Sequence, residues 1–241
     1  MLKRLDKFLC DKKMGTRSQV KVLIQKGFVT INNEVVKKAD CKVADTDVVC
    51  CQGVLLSSEE FGYFMLNKPA GVISATEDAT QQTVLDFFKE EPYKNLYPVG
   101  RLDKDTEGLL LITNDGPLGH ELLSPKKHVP KTYYAKLEHG LSSEDMDALE
   151  KGVDIGEKNL TLPAKLEVVD QEAVHITITE GKFHQVKRMF EAVSNKVLYL
   201  KRISMGGLQL DESLKPGDYR PLTEKELELL KNRSKKEFLG N

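Results

Sequence analysis

The hydrophobic residues of positions 1–57 recur first at helical and then at strand-like spacing. Intervals of three and four residues predict one short helix at the N-terminus and a second that begins after Thr16, a typical N-cap residue, and ends at Gly27. Two short apolar runs then flank Asn32–Asn33, and because asparagine tolerates a positive φ, this pair predicts a hairpin turn. With one more strand at 48–50, these residues predict a small module of helices and short strands.

From Phe61 onward the pattern changes to short strands that alternate with helices. The predicted strands cover 63–66, 108–113, 132–137 and 174–179, and the predicted helices cover 82–90, 143–151, 184–193 and 223–232. Because the long crossover helices that join parallel strands are missing, we expect a mostly antiparallel sheet and an α+β fold. The polar run at 57–60 predicts a linker between a domain of residues 1–57 and a domain of residues 61–241.

Composition excludes several classes of protein. The chain has 241 residues, of which 40% are hydrophobic and 30% charged, which supplies a core and excludes collagen-like, disordered and disulfide-dense proteins. No apolar run approaches the roughly 18 residues of a membrane span, and the charged N-terminus lacks the apolar segment of a secretion signal. The four cysteines follow no zinc-binding spacing, so we expect reduced thiols, no metal and a soluble cytoplasmic protein.

The formal net charge of −1 conceals a strong segregation of charge along the chain. Residues 1–44 carry eleven Lys and Arg against four acids, and residues 181–204 carry six against one. Residues 126–136 add four lysines, whereas residues 138–172 hold ten acids and three lysines. Basic segments of this kind are typical of a face that binds a polyanion such as nucleic acid. Ordinary solvated charge is the simpler explanation of any one of these runs alone.

A dense polar loop before an apolar strand is the first candidate for chemistry. Most of residues 100–108 are charged or polar, and Leu109–Ile112 follow them directly. A loop anchored on a buried strand holds functional groups rigidly, although a salt-bridged turn without function shows the same pattern. Sequence motifs for nucleotide hydrolysis, dinucleotide binding, zinc proteases and serine hydrolases are absent.

The helix predicted at 184–193 supplies a second candidate. Lys187 lies at the edge of its apolar stripe, where the side chain can reach inward to a carboxylate. Arg188 points away from the stripe and is expected to be free to bind a phosphate, whereas we expect a structural role for His184. The third candidate is Tyr133, an aromatic ring beside basic residues, for which a plain core position is the simpler explanation.

Residues 16–32 resemble the S4 RNA-binding domain. In that family the second helix presents basic side chains to the phosphate backbone of RNA. The resemblance therefore implies that Arg17, Lys21 and Lys26 bind RNA. Because the S4 domain is attached to many different RNA-handling proteins, it implies an RNA partner without specifying a reaction.

Four further motifs resemble the RsuA/RluB/RluE/RluF family of pseudouridine synthases. The signature Gly-Arg-Leu-Asp-x-Asp-Thr-x-Gly-Leu-Leu-Leu-Leu-Thr-Asn-Asp-Gly is matched by residues 100–116, with one leucine replaced by isoleucine. Shorter motifs match at 66–71, 131–133 and 180–189. The amino-acid sequence of residues 216–222 is most similar to the RsuA branch, which modifies a single uridine of 16S ribosomal RNA.

The resemblance implies an isomerisation in which the N1–C1′ bond of uridine breaks, the base turns over, and it rejoins the sugar through C5. It assigns the nucleophile to Asp103, the ring that packs on uracil to Tyr133 and the cationic partner of Asp103 to Lys187. Arg101 is implied to occupy the gap left by the flipped base. The implied partner is ribosomal RNA, bound by a monomer, and no cofactor is implied.

Three alternatives remain open from the sequence. A sister branch of the family, which shares the catalytic motifs, acts on 23S ribosomal RNA. A non-catalytic assembly factor that only binds ribosomal RNA would keep the S4 domain, although it would not need Asp103, Tyr133 and Lys187. A nucleoside hydrolase would carry a cluster of aspartates for calcium, and the sequence shows none.

Overall fold

In a computed structural model of the chain, residues 2–44, 47–56 and 61–236 are described. They belong to two units, Met1–Phe61 and Gly62–Asn241. The linker predicted at 57–60 lies outside the described residues. None of the helices within the described ranges is both long enough and apolar enough to cross a membrane.

The elements of the first unit begin and end at residues that the sequence marks. The Thr16 hydroxyl accepts a hydrogen bond from the Gln19 N–H, and the Gln19 side chain accepts one from the Thr16 N–H, so the second helix has a capping box. Gly27 follows this helix with a φ of +78°, and Asn32 and Asn33 form the hairpin turn with φ values of +51° and +68°. The elements are β1 (Lys3–Arg4), α1 (Leu5–Asp11), α2 (Arg17–Gln25), β2 (Val29–Ile31), β3 (Glu34–Val35), β4 (Lys42–Val43), β5 (Val49–Cys51) and β6 (Val54–Leu55). The predicted helices and hairpin are confirmed.

The second unit is built on one large sheet. Its strands are β7 (Tyr63–Lys68), β8 (Tyr97–Pro98), β9 (Glu107–Thr113), β10 (Lys131–Leu137), β11 (Lys165–Asp170), β12 (Ala173–Ile178), β13 (Val197–Met205), β14 (Leu208–Gln209) and β15 (Tyr219–Pro221). Its α-helices are α3 (Gly116–Leu123), α4 (Ser143–Lys151), α5 (Gln185–Ala192) and α6 (Glu224–Lys236). The strand order is β11-β12-β10-β13-β9-β7-β15, with β14 beside β13 and β8 beside β9. All these pairs are antiparallel except β9 and β13, so the predicted α+β fold with a mostly antiparallel sheet is confirmed.

The parallel contact between β9 and β13, here called the seam, is short and requires a glycine. Lys201 is paired with Glu107, and Arg202 with Gly108. Gly108 has a φ of +102°, and a Cβ atom at this position would clash with the backbone of Arg202. The Tyr199 hydroxyl also donates a hydrogen bond across the seam to the Glu107 carboxylate, at 2.7 Å. The seam joins the half-sheet β11-β12-β10-β13 to the half-sheet β9-β7-β15.

Some elements differ from the sequence-based expectation. The α-helix predicted at 82–90 is a 3-10 helix, Val84–Phe88, capped by Asp86, whose carboxylate accepts from the Thr83 N–H at 2.7 Å. It cannot extend far, because a residue that precedes a proline disfavours helical backbone and Pro92 follows closely. Strands β11, β13 and β15 were not predicted, because charged residues such as those in the middle of β13 interrupt their hydrophobic alternation.

Strand β9 is buried on both faces, which explains its uninterrupted apolar sequence. Leu110 and Ile112 belong to the hydrophobic core on one face of the sheet, and Leu109 and Leu111 to the core on the other. The polar loop at 100–106 runs directly into this strand. The loop is therefore attached to a strand that is buried on both faces.

Candidate active site

The polar loop at 100–106 is tied by hydrogen bonds to the segment that follows β7. The Gly71 N–H donates to the Lys104 carbonyl at 2.7 Å. The Ser74 hydroxyl donates to the Leu102 carbonyl at 2.9 Å and accepts from the Leu102 N–H at 3.0 Å. These bonds satisfy backbone groups of the loop and fix its course, as the side chains of a site require.

A buried lysine lies beneath the same loop. The Lys68 ammonium donates to the carbonyl oxygens of Pro69, Asp103 and Thr106 at 3.0, 3.1 and 2.9 Å, with the Lys104 carbonyl at 3.3 Å. Burial lowers the pKa of Lys68 to about 8, against the opposing effect of nearby carboxylates. No role for this lysine was predicted from the sequence, although it lies in the motif at 66–71 and at the end of an apolar strand.

The Asp103 side chain faces two basic groups of the segment that begins α5. Lys187 Nζ lies 3.5 Å from Asp103 Oδ2, and His184 Nε2 lies 3.6 Å from Asp103 Oδ1. The Lys187 ammonium also donates to Asp105 at 2.5 Å, and this hydrogen bond lowers the pKa of Asp105. The structure thus places Lys187 beside Asp103, with Asp105 as a second carboxylate. The buried side of α5, which includes Phe190, anchors Lys187 in this position.

Asp103 and Lys187 line a cavity of about 740 Å³ together with the other residues that the resemblance singles out. Tyr133 is almost completely buried on β10 and forms part of the same wall. Arg101 is exposed and also lines the cavity. The Asp103 side chain keeps 27% of its surface accessible, so a ligand in the cavity can reach the carboxylate. The structure therefore brings four of the predicted site residues to one cavity.

His184 and Phe183 form a stacked pair in this cavity wall. The residue His184 adopts a left-handed backbone conformation with a φ of +48°, directly before α5. Its imidazole lies parallel to the Phe183 ring, with 3.8 Å between the ring centroids. The approach of His184 to Asp103 was not predicted from the sequence, because it depends on this unusual backbone conformation.

Arg188 is not free to bind a phosphate, which corrects the prediction. Its guanidinium donates to the Glu157 carboxylate at 3.0 Å, to the Phe183 carbonyl at 3.0 Å and to the Ile155 carbonyl. Helical periodicity placed Arg188 correctly on the side away from the apolar stripe. The segment at 153–157 supplies two of these partners, and periodicity cannot predict which loop covers a helix face.

The cavity lining also includes a second pair of basic groups, Lys131 and Arg202. The buried Arg202 donates through Nε to the Leu109 carbonyl at 2.7 Å, and its Nη2 has no hydrogen-bond partner among the described residues. Burial lowers the pKa of Lys131 to about 8, and the nearby Arg202 charge acts in the same direction. The sequence did not predict the burial of Lys131 or the hydrogen bond of Arg202. Arg202 lies in a strand that the sequence pattern did not reveal.

The basic residues of the first unit are arranged differently. Arg17 and Lys21 are exposed and lie one helical turn apart on α2. Arg17 keeps 66% of its side-chain surface accessible, although it also forms an ion pair with the buried Asp6 at 3.4 Å. Lys26 is exposed at the C-cap, about half a helical circumference away from Arg17. The three predicted RNA-binding residues are therefore accessible, but they do not share one face.

Two parts of the chain match known families. Residues 62–192 match the family described as RNA pseudouridylate synthase. Residues 3–49 match the S4 domain. The first match covers most of the second unit, including the polar loop, β10 and α5.

Whole proteins of similar sequence are also known. An uncharacterized RNA pseudouridine synthase of Bacillus subtilis, YtzG, is 51% identical over 94% of this chain and 98% of its own length. Ribosomal small subunit pseudouridine synthase A is 44% identical in Haemophilus influenzae, over 94% of this chain and 99% of that protein, and 43% identical in Escherichia coli, over 93% and 98%. A crystal structure of a pseudouridylate synthase matches with a TM-score of 0.68 and 44% identity, over 94% of this chain and 99% of the other.

Proposed function

The chain belongs to the RNA pseudouridylate synthase family, and we propose that it converts one uridine of 16S ribosomal RNA, in the small ribosomal subunit, to pseudouridine. Family membership makes the protein an isomerase that forms pseudouridine in RNA. The small-subunit target is supported by the names of its relatives and by the similarity of residues 216–222 to the RsuA branch.

The observation that carries this proposal is the position of Asp103 in the cavity wall, with the Lys187 ammonium 3.5 Å from its carboxylate. We assign the nucleophile to Asp103, which attacks C1′ of the uridine or assists the departure of the uracil anion. The base then turns over, a C5–C1′ bond replaces the N1–C1′ bond, and the C5 proton is lost while N1 gains one. The reaction is therefore balanced as an isomerisation.

The neighbouring residues support this chemistry. Lys187 places a positive charge 3.5 Å from the Asp103 carboxylate. Tyr133 lies in the cavity wall, where its ring packs on uracil and its hydroxyl can take part in proton transfer. Arg101 is exposed on the same cavity, where it can enter the gap that a flipped base leaves in the RNA.

We assign RNA binding to the domain of residues 1–57 and the chemistry to the domain of residues 61–241. The exposed Arg17, Lys21 and Lys26 support the first assignment, because phosphates attract accessible cations. The proposal is for a monomer that acts in the cytoplasm, where ribosomal RNA is modified. Arg188 is not part of the proposed RNA-binding surface.

Mapping of pseudouridines in ribosomal RNA tests the proposed function. We expect one position of 16S RNA to lose its pseudouridine in cells without the protein, and to regain it with wild type but not with Asp103→Ala. Loss of a position in 23S RNA instead would assign the chain to the sister branch. No change in either RNA, together with no activity of the purified protein on 16S RNA, would favour the non-catalytic assembly factor.

A further inference from the structure

Phe183 is the most exposed large hydrophobic side chain of the described residues, with 70% of its surface accessible. A single exposed hydrophobic residue is common on protein surfaces and needs no function. Phe183 differs because it lies in the wall of the cavity that contains Asp103. A large aromatic ring that stays in water beside a reaction site is available to a ligand.

One face of the Phe183 ring is covered, and the accessible surface lies outside that contact. The His184 imidazole is almost parallel to it, with 18° between the ring planes. The other aromatic pairs of the described residues meet edge-on or at a tilt. A ring supported from one side and accessible from the other offers a flat surface on which an unpaired nucleobase can stack.

The backbone that carries Phe183 is held in place by its neighbours. The Phe183 carbonyl accepts a hydrogen bond from the Arg188 guanidinium at 3.0 Å. On the other side, the Gln185 side chain accepts one from the Lys182 N–H at 2.9 Å. Since the ring is positioned before a ligand arrives, little conformational freedom is lost when a base stacks on it.

The position of this surface relative to Asp103 identifies its ligand. The supporting imidazole of His184 lies 3.6 Å from the Asp103 carboxylate, and Phe183 is the next ring outward. Arg101 and Lys104, both exposed on the same cavity, supply positive charge for the phosphates of an RNA strand. A strand whose target uridine reaches Asp103 thus passes the Phe183 ring within about one nucleotide.

We propose that the outer face of Phe183 binds an unpaired base next to the target uridine in the substrate RNA. This inference rests on the proposed function in one respect, because it takes RNA as the ligand of the cavity. Phe183 contacts no reacting atom and is a positioning residue. Its contribution is therefore expected in substrate binding and not in the chemical step.

Kinetics of Phe183 variants of the full chain test this proposal on an RNA fragment that contains the mapped target uridine. Replacement of a stacking ring by alanine is expected to raise KM by about 5- to 150-fold with little change in kcat. Phe183→Tyr is expected to keep the wild-type KM, whereas Phe183→Leu, which is apolar but not aromatic, is expected to behave as Phe183→Ala. Leu198→Ala, a truncation of another exposed hydrophobic side chain that does not line the cavity, serves as the control.

An abasic nucleotide placed at each position flanking the target identifies the stacked base. At one position we expect the abasic RNA to weaken binding by wild type as much as Phe183→Ala does, and to cause no further loss in the variant. An unchanged KM in Phe183→Ala, a Phe183→Leu variant equal to wild type, or additive losses at every position would each overturn the proposal. If wild type modifies a different RNA, the proposed target is wrong, and the same comparison on that RNA decides the role of Phe183 independently.

Discussion

Basic side chains are placed in opposite ways in the two units of the chain. On and beside α2, Arg17, Lys21 and Lys26 extend into solvent. In the second unit, Lys68 and Arg202 are buried and donate to backbone carbonyls that belong to or border the active-site loop. The same residue types therefore serve as an accessible charge in one unit and as structural support in the other.

This difference separates RNA binding from chemistry. Exposed charges attract phosphates over a distance. Salt screens this attraction and lowers the binding affinity, because binding releases counterions. Buried cations are shielded from salt, and they act by fixing the groups around them. Substitution of the exposed cations of α2 should therefore change the salt dependence of binding, while substitution of the buried cations of the second unit should change turnover or stability.

The largest effect is expected from Asp103→Ala. Removal of a nucleophile from an enzyme lowers turnover by a factor on the order of 10⁴ or more, whereas RNA affinity is expected to remain close to that of wild type. Asp105→Ala is the matched control, because Asp105 also contacts Lys187 but does not line the cavity. Single-turnover kinetics and filter binding at one salt concentration measure both quantities. Near-normal turnover by Asp103→Ala would refute the assignment.

A large loss of stability is expected from Lys68→Met. The substitution leaves buried carbonyls without a donor, at about 1–3 kcal/mol each, so the free energy of unfolding of the second unit should fall by about 2–5 kcal/mol. Tyrosine fluorescence during urea unfolding reports on this unit alone, because all seven tyrosines lie beyond residue 61 and the chain has no tryptophan. The control is Lys104→Met, which replaces an exposed lysine of the polar loop at 100–106. It should change the free energy of unfolding by less than about 0.5 kcal/mol. Equal stability of the two variants would contradict the supporting role of Lys68.

A smaller effect, confined to turnover, is expected from Tyr133→Phe. The ring still fills the cavity wall, so KM should stay near the wild-type value, while loss of the hydroxyl should lower kcat by about 10²-fold or more if it transfers a proton. Tyr134→Phe is the control, because successive residues of a strand point to opposite faces. A fully active Tyr133→Phe variant would show that only the ring is required.

The smallest effect is expected in the first unit. For the variant Arg17/Lys21/Lys26→Ala, the log–log slope of RNA affinity against salt should flatten by roughly 0.7 for each phosphate that the protein no longer neutralises. Turnover at saturating RNA should be unchanged, since none of these residues lies in the unit that holds the cavity. Because Lys26 lies on a different side from Arg17 and Lys21, the single variants show which side binds RNA. An unchanged slope and affinity in the triple variant would leave this unit with a structural role only.

Elements whose signal is local were predictable from the sequence. Thr16 and Gly27 delimit α2 through a cap and a positive φ, and Asn32–Asn33 define a turn through the conformations that asparagine tolerates. These preferences act over a few residues, so they appear directly in the order of amino acids. The approach of Lys187 to Asp103 was predictable too, because helical periodicity gave its direction and the motif gave its partner.

Contacts between distant segments were not predictable in the same way. Lys68 donates to carbonyls 35 to 38 residues away. Because every residue has a backbone carbonyl, the sequence does not show which of them accept these hydrogen bonds. For Arg188 the helix face was correct, but two of its three partners come from a loop that begins more than thirty residues earlier. Periodicity therefore specifies the direction of a side chain without specifying what the rest of the fold places there.

The seam at Gly108 has a consequence for how the protein reaches its native state. Lys68 ends β7 and Asp103 lies in the loop before β9, on one side of the seam, whereas Tyr133 lies on β10 and Lys187 on α5, which precedes β13. Strands β11 and β12 can pair locally, but the parallel pairing of β9 with β13 closes a loop of more than ninety residues, and the pairing of β7 with β15 closes one of more than 150. Because the catalytic groups come from segments on both sides of the seam, enzymatic activity during refolding reports the formation of these long-range pairings.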